Sequence, residues 1–412
     1  MIRSGDASMP SLAAALCCLT AMPTGQAVAQ APTPPSHFSR QVLDRKFTSE
    51  GATIADVNRD GRPDVVVGSH WYAGPNFDER TAYRDPKEFD IEGYSDVFFC
   101  FAGDFNGDGW DDILTIGFPG AEASWHENPQ GATRYWQRHL VLDRVDNESP
   151  TLADLVGDER PELICNRDGC VGYAQADTGS PDRPWRFTPI STPRGYERFT
   201  HGLGVGDING DGRPDVVMKD GWWEQPARLD GRPWTFHEYP FADAGGAQML
   251  VADFDGDGLC DVVTSLAAHA YGLAWYQQVR TDTGEISFRK QLITGEKPSE
   301  NEFGVAFSQA HAAALADIGG DGVPDFVTGK RWWAHSTHDP GSLEPAVLYW
   351  FRTERTESGV RFVPHLVDDD SGVGTQVTVG DVDGDGRPDI VVGNKKGAFL
   401  FLQRPGAAAP GK

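Results

Sequence analysis

The sequence predicts an all-β fold, a seven-bladed β-propeller, and three observations predict it. An acidic loop recurs seven times, its first Asp at positions 56, 104, 154, 207, 253, 317 and 381, so that copies stand 46 to 64 residues apart. Repeats of that length mark a solenoid, a propeller or an array. Each repeat carries four short β-rich stretches, the content of one propeller blade. The last repeat stops after its third stretch, and an orphan with the pattern of the missing fourth, residues 38–44, stands ahead of the first repeat. An N-terminal strand that completes the last blade closes the ring and removes its open sheet edges.

The loop itself comes first. Its fullest copy is Asp381-Val-Asp383-Gly-Asp385-Gly-Arg-Pro-Asp389. Carboxylates at positions one, three, five and nine can converge on a hard cation such as Ca²⁺, which takes about six to eight oxygen ligands. Gly384 and Gly386 permit the tight turn. Four more copies are complete: Asp56, Asn58, Asp60 and Asp64; Asp104, Asn106, Asp108 and Asp112; Asp207, Asn209, Asp211 and Asp215; Asp253, Asp255, Asp257 and Asp261. Two copies are damaged. Gly319 stands at the third position of the loop at Asp317; Val156 stands there in the loop at Asp154, which also has Glu159 for the second glycine. About five bound Ca²⁺ are expected on this ligand chemistry, with the damaged loops weak or empty. An EF-hand would need a bidentate Glu at position twelve, where the complete copies have Val67, Thr115, Met218, Thr264 and Val392. The flanking β-branched runs favour strands over helices.

Strands follow in a fixed order. A small or apolar lead-in such as "HGLGVGD" gives strand A, and a run such as "PDVVM" after the loop gives strand B. Aromatic stretches such as "SWHENP", "GWWEQP" and "LYWFRT" give strand C; "WQRHLV", "WTFHEY" and "RFVPHLV" give strand D. The long fifth and sixth repeats need inserted loops, one of them at 334–346.

The remaining chain sets the context. Residues 1–29 read as a secretory signal with an A-x-A site at 27–29, and 30–37 as a Pro-rich linker. The propeller spans 38–403 and a flexible tail 404–412. The protein is therefore expected to be exported, periplasmic or secreted, and not membrane-spanning. A formal net charge of −25 without a basic stretch argues against nucleic-acid binding. Cys165 and Cys170 flank a hairpin and are either a disulfide or a free pair.

The repeated acidic loops resemble the FG-GAP/VCBS repeat family, whose members include the integrin α-chain propellers. The resemblance implies a β-propeller with Ca²⁺ in its A–B turns. Within that group, Trp125-His-Glu-Asn-Pro129 and Trp222-Trp-Glu-Gln-Pro226 are loosely similar to the propeller of aldos-2-ulose dehydratase and related bacterial proteins. That likeness implies a sugar-acting lyase with a metal in the propeller.

Candidate chemistry lies at the end of the barrel opposite the acidic loops, where strand A begins and strand B ends. Six residues before each loop Asp stand Glu50, Phe98, Glu148, His201, Ala247, His311 and Thr375, with Gln248 and Gln376 one place on. The B-strand ends add His70, Lys219, His269, Lys330, Arg331 and Lys395. His201, His269 and His311 sit in three consecutive blades and are expected either to hold a transition metal such as Zn²⁺ or to bond neighbouring blades. As a lyase or dehydratase acting by β-elimination on a keto-sugar or related sugar, the protein would use one of these histidines as base, Lys219 or Arg331 with the metal at the enolate oxygen, and Tyr271 or Lys330 as acid. His70, Lys395, Trp222, Trp332, Gln248, Gln376 and Glu148 would contact the sugar. The alternative is a non-catalytic glycan- or protein-binding propeller.

Overall fold

The computed structural model describes residues 37–242 and 244–405. The expected signal segment, the linker up to residue 36 and the tail from 406 lie outside the described residues. Seven four-stranded antiparallel sheets make up the fold. In six of them the strands follow chain order from A to D; in the seventh, the first described strand, His37–Asp44, pairs with the last, Gly397–Arg404, so that the two share one blade. The register runs from His37 opposite Arg404 to Val42 opposite Phe399. His37 and Arg404, placed by the sequence in linker and tail, are thus the ends of paired strands. The fold is the predicted all-β, seven-bladed propeller closed by its N-terminal strand. No helix among the described residues is long and apolar enough to cross a membrane.

Each acidic loop holds its shape by bonds from its own backbone. In the last blade the Asp381 carboxylate accepts N–H groups from Gly384, Asp385 and Gly386. The ninth carboxylate has a different job. Asp64, Asp112, Asp215, Asp261, Asp325 and Asp389 are fully buried. One oxygen of Asp215 accepts Ile208 N–H at 2.9 Å; the other accepts Gln225 N–H, beyond strand C, also at 2.9 Å. The same pair of bonds recurs at Asp112 and Asp389. Burial pushes these carboxyls up, Asp215 to about 7 and Asp112 to about 8. The damaged loop at Asp154 keeps the pattern, with Asp154 accepting from Gly157, Asp158 and Glu159 and Glu162 accepting from Leu155. The loop conformation is therefore a backbone–carboxylate construction, and the third-position ligand is not needed for it.

The aromatic C-strand motif is also structural. Trp125 stacks on His139, Trp222 on His237 and Trp350 on His365, each a directly opposed C–D pair, at ring separations of 4.2, 4.0 and 4.3 Å. Glu127 and Glu224 bond the Nε2 atoms of His139 and His237 at 2.9 and 2.8 Å. The amide that follows crosses to the preceding blade: Asn128 donates to Val57 O, Gln225 to Leu155 O, Gln278 to Ile208 O and Gln403 to Ile318 O. Satisfying a buried carbonyl in the neighbouring loop is what such an amide contributes. The motif likened to a sugar lyase thus staples blade to blade.

Cys165 and Cys170 carry free thiols.

Candidate functional site

Strand A begins at the mouth opposite the acidic loops, so the residues just before it gather around the axis. Glu148 leads into blade 3, His201 into blade 4 and His311 into blade 6; His269 comes from the loop after strand B of blade 5. Each of the four offers a ligand atom, and those atoms all lie within 4.8 Å of one another. His201 Nε2 and His311 Nε2 are 3.2 Å apart. Glu148 Oε2 is 3.1 Å from His311 Nε2 and 3.4 Å from His201 Nε2. The three imidazole rings make a nearly equilateral triangle, with centroids 5.0, 5.0 and 5.1 Å apart. Two ligands of one ion bound at about 2.0–2.2 Å are separated by roughly 3.0–3.5 Å, so the ligand spacings fit a single metal.

Arg331 closes the cluster from one side. Its guanidinium donates to Glu50 Oε1 at 2.7 Å and lies 3.1 Å from His311 Nε2 and 3.5 Å from Glu148. Ser95 bonds the other Glu50 oxygen through both N–H and Oγ, and the Phe98 ring lies 5.3 Å from the guanidinium carbon. Burial opposes ionisation of Glu148, but hydrogen bonds from His201 and His311 outweigh it and hold the carboxyl well below the usual range. Burial, then the Arg331 charge, pushes His311 well below its ordinary value. Access is one-sided: the His311 side chain is 0% exposed and that of His269 25%.

A second group adjoins the first. Asp339 lies 3.5 Å from His269 Nδ1 and 3.1 Å from His335 Nδ1. His335 and Asp339 come from the segment inserted between strands B and C of blade 6, where sequence reasoning saw only a spacer. The signal available there was a histidine and an aspartate four apart in an insertion next to Lys330-Arg331.

The other expected residues are placed as follows. Trp332 stacks on Trp333 at 5.1 Å, and Lys396 Nζ stands 4.8 Å over Trp332. Lys395 Nζ donates to Trp333 O at 3.0 Å and stands 4.6 Å over Tyr94; burial pushes it down to about 8. The Lys219 carbonyl accepts from Phe241, and its Cβ packs near Gly202. Lys330 does not reach the histidines. Its ammonium is buried against Ser308 Oγ and Gly341 O, at 2.7 and 2.6 Å, and burial pushes it down to about 8. Tyr271 lies in the same knot, donating to Glu344 at 2.6 Å; burial and then Glu344 push it up to about 12.

Five residues expected to contact the sugar have other partners. Trp222 is buried in the blade core, because its ring covers His237. His70 opens strand C of blade 1, and the charges nearest it are Arg80 and Asp44 of outer strands. Gln376 exchanges both amide bonds with the Cys100 backbone, and Gln248 bonds Ala313 N–H and Thr375 O, so both join blades across the axis. Glu148 belongs with the histidines rather than with a ligand.

Two family models match the chain. Residues 373–406 match the FG-GAP repeat and residues 104–165 the FG-GAP-like repeat. This is an FG-GAP repeat β-propeller. No curated protein matches it. Among solved structures it is similar to an Agrocybe aegerita lectin that recognises non-reducing terminal N-acetylglucosamine, at 18% identity and a TM-score of 0.44, over 75% of this chain and 80% of that one. It is also similar to the Photorhabdus luminescens Tc holotoxin pore, at 16% identity and a TM-score of 0.39, over 90% of this chain and 15% of that one.

Proposed function

We propose that this FG-GAP propeller carries a transition-metal centre on Glu148, His201, His269 and His311, and that it binds a carbohydrate-derived anion there. One observation carries the metal. His311 Nε2 has His201 Nε2, Glu148 Oε2 and Arg331 around it at 3.2, 3.1 and 3.1 Å. A single ring nitrogen has one proton or one lone pair and cannot answer all three, whereas a cation among the nitrogens and the carboxylate answers those together. Four protein ligands fill a tetrahedral shell, so a ligand that binds the ion directly calls for a six-coordinate metal such as Mn²⁺, Fe²⁺, Co²⁺ or Ni²⁺. Two coordination positions then remain, which suits paired oxygens on one ligand. Glu50 and Glu148 against Arg331 and a divalent ion leave one net positive charge, which favours a monoanion such as a sugar acid. Trp332, Tyr94 and Lys395 offer the aromatic and cationic rim such a ligand needs.

This reading places binding ahead of catalysis. An imidazole nitrogen that holds a metal has no lone pair left to act as base. The acid candidates Tyr271 and Lys330 are tied into a separate knot. The acidic loops are proposed to hold Ca²⁺: the carboxylates of Asp253, Asp255 and Asp257, and of Asp381, Asp383 and Asp385, come within 4.8 Å of one another.

The test is metal analysis of the purified protein in excess Ca²⁺, followed by calorimetric titration with hexuronic and aldonic acids. One tightly held transition metal per chain, lost in His201→Ala and His311→Ala together with acid binding, is expected. A wild-type protein that retains no transition metal on reconstitution overturns the proposal. Unsaturated sugar released on incubation would move the reading to the lyase.

A further inference from the structure

We propose that a second divalent transition-metal ion binds between His269, His335 and Asp339, with His269 shared by both positions. This deepens the proposed function and rests on it.

The three side chains offer ligand atoms within 4.8 Å of one another. Asp339 carboxylate oxygens stand 3.1 Å from His335 Nδ1 and 3.5 Å from His269 Nδ1. Those are the edges expected of one ion at about 2.0–2.2 Å from each ligand.

Among the described residues, buried His269 Nδ1 has no hydrogen-bond partner in good geometry. At 3.5 Å, Asp339 is within coordinating reach through an ion but too far for a good direct bond. An imidazole has two ring nitrogens on different edges. With Nδ1 turned to Asp339, Nε2 is the atom left for Glu148, His201 and His311.

Gln309 Nε2 donates to Asp339 Oδ2 at 2.9 Å, the kind of outer bond that orients a ligating carboxylate. Gln309, Trp333 and Ser336 all have left-handed backbone, with φ of 60°, 63° and 56°. For residues with side chains this backbone conformation is disfavoured. The strain falls on the two segments that carry His335, Asp339 and the residue that braces Asp339. His335 and Asp339 also arrive on the insertion in blade 6, an addition the propeller does not require for closure.

The two positions differ in access. Three of the first position's four ligands, Glu148, His201 and His311, are buried, whereas the His335 side chain is 44% exposed. The second ion has three protein ligands against four and opens to solvent, so it is the weaker and more exchangeable of the two.

The experiment uses Co²⁺, whose visible absorption reports occupancy while Ca²⁺-filled acidic loops stay silent. Full-length protein stripped of metal and returned to excess Ca²⁺ is titrated with Co²⁺. Two Co²⁺ per chain are expected for wild type, with one tight and one weaker step. His335→Ala and Asp339→Asn should each reduce uptake to one, keeping the tight step; His311→Ala should remove the tight step. If wild type saturates at one Co²⁺, lost in His311→Ala and unchanged in His335→Ala, the axial centre stands and the second position does not exist. If wild type takes up no Co²⁺, both fall.

Discussion

Replacing Arg331 by Met tests the electrostatics of the mouth directly. The Arg331 side chain is 4% exposed, and those of its partners Glu50 and Glu148 are 1% and 7% exposed. Removing one member of a buried ion pair leaves the other charge without compensation and costs about 3–5 kcal/mol. Here the remaining bonds soften the loss. Glu50 keeps the Ser95 N–H and hydroxyl, both at 3.2 Å, and Glu148 keeps His201 and His311. We therefore expect a destabilisation of about 3 kcal/mol for the metal-free protein, near the lower end of that range. Urea unfolding in Ca²⁺ buffer, with transition metals removed, reads it as a fall in midpoint at constant slope. The same variant should bind Co²⁺ more tightly, since a guanidinium 3.1 Å from His311 Nε2 repels a cation placed beside that nitrogen. A loss below about 1 kcal/mol, the size of an exposed pair, would refute the claim that Arg331 balances two buried carboxylates.

Deleting Phe38–Asp44 should abolish the cooperative melt and promote association, because it strips the partner from Gly397–Arg404 and bares a sheet edge; an unchanged melt and a monomeric elution volume would contradict closure by strand exchange. Gln225→Leu leaves the buried Leu155 carbonyl and the half-buried Pro214 carbonyl without their donor and should cost about 2 kcal/mol, read by denaturant unfolding. Chelation should lower the melting temperature. Asp385→Ala should reduce calcium stoichiometry by one and Asp321→Ala, in a damaged loop, should leave it unchanged; equal effects of the two would remove the distinction between complete and damaged loops.

Much was legible in the repeat register. Loop position locates strands A and B, and counting six residues back from each loop Asp finds Glu50, Glu148, His201 and His311, which do meet at the mouth. A repeat carries this information because every blade places equivalent positions at equivalent depths around one axis. The orphan strand at the start of the chain was readable for the same reason, since a missing strand in a periodic array has a defined pattern. Tertiary structure alone decided what lies outside that register. His335 and Asp339 ride on an insertion with no equivalent position to count from, and only its folded path brings them to His269. Trp222 shows the other limit: adjacent aromatic residues in a strand point to opposite faces, and only the cross-strand stack on His237 shows that its ring belongs to the core. The Glu–Asn/Gln–Pro signature likewise invites a functional reading in one dimension. Its amide is seen to be a staple only when the carbonyl it serves, about seventy residues back in the preceding blade, is brought alongside.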